Sequence, residues 1–362
     1  MSQHFTSSQR PPKPRLLTGD TPTGRMHLGH WVGSMENRVA MQDDYECYFI
    51  IANTHAFTTQ WDQPAAIRQS TLDIALDNLA AGIDPQKSAL FIESDIPAIF
   101  ELTALLSMLV PFPRLMRNPT IKDEIRDKQL GDNYSMGFLL YPIMQIADIL
   151  ALRADVVPVG EDQGPHLELT REVARRFNQL YCGVDSHTPD EDYLKAGGLF
   201  PIVKMQMGRV RRLVGLGGPN AQGQLLKMSK SLNNAIFLRD PPDVVYEKVM
   251  GMYTDPRRLR ATDPGTVENN PLWIFHEAFN PDKVWVEEMK QCYRQGKVGD
   301  VECKKRLVDV LIAFLKPIQA RATEYEKDLT QVKKILQEGA LHVNAIAQET
   351  LRRVKEALRQ CY

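Results

Sequence analysis

The chain has 362 residues, 43% of them hydrophobic and 25% charged, enough apolar material for a well-formed core and, at this length, about two domains. Its formal net charge of −1 supplies no global positive field, so a nucleic-acid partner would have to be held by local basic patches. The five cysteines (Cys47, Cys182, Cys292, Cys303, Cys361) are scattered, with no C-x-x-C pair and no histidine at zinc-finger spacing, which argues against structural zinc or an iron–sulfur cluster.

From the N-terminus, Met1 to Arg15 are polar and proline-bearing, and no later stretch approaches the roughly 20 apolar residues of a membrane span; a cytoplasmic protein is expected. Arg15–Thr18, Tyr45–Ala52, Ser88–Glu93 and Val156–Gly160 read as buried strands, each followed by a segment of helical period. That rhythm predicts a parallel α/β sheet. In the helix after the first strand, Leu28, Trp31, Met35 and Val39 share one face, which is expected to pack on the sheet. After Asp240 the pair Pro241–Pro242 breaks the chain, and the remainder is helical in character, so a second, α-helical domain is expected from there.

Two segments carry nucleotide chemistry. Thr18 to Gly33 reads TGDTPTGRMHLGHWVG, a glycine-rich turn after a strand with His27, Gly29 and His30 at the start of a helix. A helix N-terminus presents free backbone N–H groups and partial positive charge, and the histidines can donate to phosphate. Alone, H-x-G-H reads equally well as a tight turn with two surface histidines. About two hundred residues on, Lys227-Met228-Ser229-Lys230-Ser231 follows a loop rich in glycine (Gly215, Gly217, Gly218, Gly223). Lysine is a compact charge on a flexible stem, suited to a moving phosphate.

In this order and at this separation the two segments resemble the HIGH and KMSKS signatures of class I aminoacyl-tRNA synthetases. The resemblance implies a Rossmann-like catalytic domain over residues 1–239 and ATP as substrate with Mg2+. His27 and His30 would meet the ATP phosphates, and Lys227 and Lys230 would stabilise the departing pyrophosphate. Thr21, Pro22, Thr23, Gly29, Met228, Ser229 and Ser231 would complete the nucleotide site. The attacking carboxylate is already a nucleophile, so positioning and charge stabilisation suffice and no catalytic triad is needed.

The run Tyr141-Pro-Ile-Met-Gln-Ile-Ala-Asp148, followed by Val156-Val-Pro-Val-Gly-Glu-Asp-Gln163, is similar to the core of tryptophanyl-tRNA synthetases, and the likeness is collinear over nearly the whole chain. Tyr141, Gln145 and Asp148 stand four and three apart, so a helix would aim them into one pocket. By resemblance Asp148 accepts the indole N–H; Leu17, His55, Val157 and Val159 line the ring; Gly160, Glu161 and Asp162 meet ATP, and Gln163 the amino group. Tyrosine is the nearest rival, since its synthetases use a similar Tyr, Gln and Asp set. They carry a tyrosine where Leu17 stands, however, and lack the V-P-V-G-E-D-Q run. Many bacterial tryptophan enzymes have methionine at Gln145 and an aromatic at Leu17, so this pocket departs toward greater polarity.

The same resemblance implies a helical tRNA anticodon-binding domain over 240–329, final helices over 330–362 returning to the first domain, and a homodimer serving tRNA(Trp). Arg257, Arg258 and Arg260 are candidate RNA contacts, or a solvated charge run. A non-catalytic paralogue binding RNA or protein, and a small-molecule adenylyltransferase, are the other readings. The intact motifs speak against the first, the added helices against the second.

Overall fold

The computed structural model describes residues 13–127, 130–131, 133–159, 164–207 and 213–361. Five strands form one parallel sheet: β1 (Arg15–Asp20), β2 (Glu46–Ile51), β3 (Ser88–Ile92), β4 (Val156–Val159) and β5 (Lys204–Met207), in the order β3-β2-β1-β4-β5. Both faces are buried, and the two-residue strand period sorts side chains between them. Leu16, Cys47, Phe49, Ile51 and Leu90 enter one core; Leu17, Tyr48, Ile50 and Phe91 enter the other.

The order reverses direction beside β1: one crossover leads to β2, the other to β4. Such a reversal opens a crevice at the carboxyl ends of the strands, the usual ligand site of an open α/β sheet. The first core is completed by α4 (Pro64–Ala81) and α13 (Asp300–Lys327), the second by α5 (Pro97–Ser107), α8 (Met136–Ala151) and α9 (Gly164–Cys182). The remaining α-helices among the described residues are α1 (Leu28–His30), α2 (Glu36–Met41), α3 (Asn53–Gln60), α6 (Phe112–Met116), α7 (Pro119–Asp127), α10 (Pro242–Met250), α11 (Pro271–Phe279), α12 (Lys283–Arg294) and α14 (Leu329–Ala357).

The stripe Leu28–Trp31–Met35–Val39 packs on the core that covers the sheet, Leu28 and Met35 buried in it and Trp31 and Val39 half-buried against it, with Trp31–Met35 wound as a π turn. Leu28, Val32 and Met35 enter the core with the sheet, whereas Trp31 is half-buried, edge-on to Phe314 of α13 at 5.1 Å. Strand β5 is not legible in the sequence because K-M-Q-M has the pattern of an edge: Lys204 and Met205 are exposed.

The C-terminal helix α14 lies directly on β3. Gly339 makes this possible: a Cβ there would stand 2.1 Å from the Leu90 carbonyl oxygen. Val343, Ala347, Leu351 and Val354 continue that helix face into the second core.

Candidate active site

The crevice at the reversal is a cavity of about 700 Å3, lined at one end by Thr21, Thr23, His30, Lys227 and Lys230, and at the other by Leu17, His55, Tyr141, Gln145, Asp148 and Val157. The two sequence segments are joined by backbone pairing. Leu28 N–H donates to Ile236 O at 2.9 Å and Leu238 N–H to Met26 O at 3.0 Å, with His27 facing Phe237 in an antiparallel bridge. Met228 is buried beneath this junction, and its sulfur accepts the Gly29 N–H at 3.3 Å. Lys230 Nζ reaches back to donate to Gly24 O at 2.7 Å. Burial holds its ammonium pKa below the ordinary value, against the pull of Asp77, Asp20 and Asp73.

His27 caps α1 and is buried, its ring 3.8 Å from that of His30 and over Gly29, where a Cβ would meet it at 2.9 Å. It lies outside the cavity lining, as do Pro22, Gly29, Met228, Ser229 and Ser231. Ser229 and Ser231 instead share a hydroxyl hydrogen bond of 2.9 Å. Burial, then the charge of His30 and of the two lysines, lowers the His27 pKa to about 3. Burial lowers His30 to about 4, although Asp20 opposes it. Both rings are therefore neutral near neutral pH. The His27 N–H donates to His30 Nδ1 at 3.1 Å, which leaves the His30 proton on Nε2 as a neutral donor.

At the other end, helix α8 brings Tyr141, Gln145 and Asp148 to the cavity together. The Tyr141 ring is edge-on to His55 at 5.1 Å and to His166 at 5.5 Å, and its hydroxyl donates to Glu124 at 3.2 Å. Val157 lines the cavity from β4. The side chain of Val159, at the end of β4, and residues Gly160, Glu161, Asp162 and Gln163 lie outside the described residues.

Sequence reasoning missed several lining residues. Asp20, at the end of β1, is held by a two-pronged Arg38 guanidinium at 2.5 and 2.9 Å. Burial alone would raise the Asp20 carboxyl, but the charge and hydrogen bonds of Arg38 hold it below its ordinary range. The helical spacing Ser34–Arg38 was available in the sequence as a signal; the pairing with a strand end was not. His166 and Glu124 were likewise passed over.

Among the arginine candidates, Arg258 is committed elsewhere. It is buried, pairs with Asp300 at 2.8 Å, donates to the carbonyls of Asp263, Ala261 and Val298, and stacks over Tyr293 at 4.0 Å. Arg257 pairs with Asp255 at 2.7 Å; Arg260 is exposed.

The cavity thus has a cationic, hydrogen-bond-donating end and an aromatic-lined, carboxylate-bearing end, and the two motifs are paired beside it. The model of the class I tRNA synthetases (W and Y) matches residues 9–316. The chain belongs to that family. This synthetase is 43% identical over 351 residues to the tryptophan–tRNA ligase of Chlamydia caviae, covering 96% of each chain. It is 44% identical over 350 residues to that of Lactococcus lactis, covering 96% of this chain and 98% of the relative. Among solved structures, the tryptophanyl-tRNA synthetase of Campylobacter jejuni complexed with ADP and tryptophan superposes with a TM-score of 0.80 at 29% identity, over 95% of this chain and 99% of the other. In the synthetase described here, no helix among the described residues is long and apolar enough to cross a membrane.

Proposed function

We propose that this synthetase activates L-tryptophan with ATP to tryptophanyl-adenylate and transfers it to tRNA(Trp), releasing AMP and pyrophosphate. The observation that carries this reading is the single cavity spanning Lys230 and His30 at one end and Asp148 at the other. Such a cavity can seat a nucleotide and an aromatic amino acid together, so that a carboxylate meets the α-phosphate without further machinery. ATP enters as its magnesium complex. His30 supplies a neutral donor to the phosphates, while Lys227 and Lys230 compensate the charge that develops on the leaving pyrophosphate.

Asp148 accepts the indole N–H, the ring's one polar handle, and Leu17, His55, Tyr141 and Val157 enclose its faces. Gln163 and the run Gly160–Asp162 complete the amino-acid and ribose contacts on this reading. Residues 1–239 act as the catalytic domain, 240–329 read the anticodon, and 330–362 brace the catalytic sheet. A homodimer is the working form, with the apolar runs Ala98–Val110 and Phe138–Ile149 as its interface segments; the exposure of Met108 (79%), Phe112 (61%) and Met136 (70%), in or beside those runs, supports it. The site of action is cytoplasmic.

The test is amino-acid-dependent exchange of pyrophosphate into ATP, with tryptophan and tyrosine compared on one preparation. Exchange with tryptophan alone is expected. Preference for tyrosine would mean that Gln145 and Asp148 read a phenol, and no exchange with either would sink the enzymatic reading.

A further inference from the structure

Asp148, Glu93 and His55 come from three elements: α8, the turn that follows β3, and the first turn of α3. One polar atom of each lies within 4.8 Å of the other two. Glu93 is fully buried and half engaged. Its Oε2 accepts the backbone N–H groups of Thr54 and His55 at 2.9 and 3.1 Å, donors that the start of a helix leaves without an internal partner. Its other oxygen, Oε1, stands 3.9 Å from His55 Nδ1, and one Glu93 carboxylate oxygen lies within 4.8 Å of one of Asp148. Glu93 Oε1, Asp148 Oδ1 and His55 Nδ1 are all buried with no hydrogen-bond partner.

Two carboxylates this close, out of water, cannot both stay ionised without large cost. Burial first, and the charge of Glu93 second, push the Asp148 carboxyl well above the ordinary range. The other titratable groups around the pair are His55 on α3 and Tyr141 on α8 itself, with Glu124 of α7 and His166 of α9 at the Tyr141 hydroxyl. Helices α5 and α14, which also pack on α8, contribute apolar side chains to the core they share with it, among them Ile99, Leu102, Val343 and Ala347.

We propose that Glu93 is a positioning residue of the amino-acid subsite: its free oxygen shares a proton with Asp148, and the state of that proton sets how strongly Asp148 accepts the indole N–H. The proposal rests on the reading that Asp148 meets that N–H. When Asp148 carries the proton it has lost its charge, and the indole N–H meets only a neutral acceptor, a weaker partner than a carboxylate. On tryptophan binding the proton passes to Glu93 Oε1 or leaves to solvent, and no other bond changes.

The experiment measures KM in pyrophosphate exchange from mildly alkaline to mildly acidic pH, for tryptophan and for its benzothiophene analogue, which has sulfur in place of the ring N–H. For the wild-type protein, KM for tryptophan rises with acidification, by up to about tenfold per pH unit as Asp148 takes up the proton, while KM for the analogue stays nearly flat. In Glu93→Gln the amide oxygen still accepts from Thr54 and His55, and the amide NH2 donates to Asp148 and keeps it ionised. The tryptophan profile of that variant is therefore expected to flatten. A flat wild-type profile, a variant that keeps the wild-type slope, or an equal loss with both amino acids would each overturn the proposal. So would a KM for tryptophan that responds to added zinc and to chelator, which would assign the three atoms to a cation. Failure of the underlying reading looks different: Asp148→Asn would then treat tryptophan and the analogue alike.

Discussion

The sulfur of Met228 accepts the backbone N–H of Gly29 at 3.3 Å, joining the middle of one motif to the middle of another 199 residues earlier. Met228 is 2% exposed, so this residue of the lysine loop belongs to the core, and the flanking Lys227 and Lys230 project from an anchored base. The Lys230 ammonium, against Gly24 O, sits where a phosphate oxygen can take over the carbonyl's place.

Replacing that ammonium isolates its part in catalysis. Lys230→Ala is expected to lower the rate of adenylate formation about 10²–10³-fold, the cost of removing one preorganised charge stabiliser, with the tryptophan dissociation constant changed by less than about twofold. Single-turnover kinetics alongside calorimetric tryptophan binding separates the two. An unchanged rate would remove Lys230 from the mechanism.

Three histidines, His27 and His276 buried and His30 half-buried in the cavity wall, make the fold acid-labile. His27 is lowered to about 3, His30 to about 4 and His276 to about 4, in each case chiefly by burial, whereas unfolded histidine titrates near 6.5. Between those values the unfolded chain binds more protons than the native one. Stability is therefore lost as pH falls from about 6.5 toward 4, by about 1.4 kcal/mol per pH unit for each histidine. Urea unfolding at stepped pH checks the slope, and His276→Gln is expected to reduce it by about one third.

Arg258 is a test of structure against recognition. Its removal leaves the Asp300 carboxylate without its cation, held by the Tyr293 hydroxyl, so Arg258→Ala should cost about 3–5 kcal/mol and lower the thermal midpoint. Arg260→Ala, at an exposed position, should leave the midpoint nearly unchanged. A variant at Arg258 with unaltered stability would contradict the packing described for it.

Gly339→Ala sets two effects against each other. Alanine favours a helix over glycine by about 1 kcal/mol, but its Cβ would meet the Leu90 carbonyl at 2.1 Å and lift α14 off β3. The overpacking is expected to win, with a net loss of about 1–3 kcal/mol by denaturant titration. A stabilised variant would mean that α14 shifts freely on the sheet.

What the sequence by itself determined is whatever depends on local period and composition. Four of the five strands, the burial of the sheet on both faces, and the gathering of Tyr141, Gln145 and Asp148 on one helical face all follow from spacing, because side-chain direction repeats every two or 3.6 residues. The family was legible as well, in two short motifs and the Y-P-I-M-Q-I-A-D run. Tertiary structure decided what no local rule encodes, namely which distant groups meet. Glu93 reads as an ordinary residue at a strand end until the first turn of α3 arrives above it and Asp148 beside it. Arg38 reads as a helix-surface charge until Asp20 takes it. Arg258 reads as an exposed cation until Tyr293 and Asp300 enclose it. In each case burial in a low-dielectric interior turns a common polar residue into one whose charge and partners are strongly constrained, and burial is a property of the assembled fold.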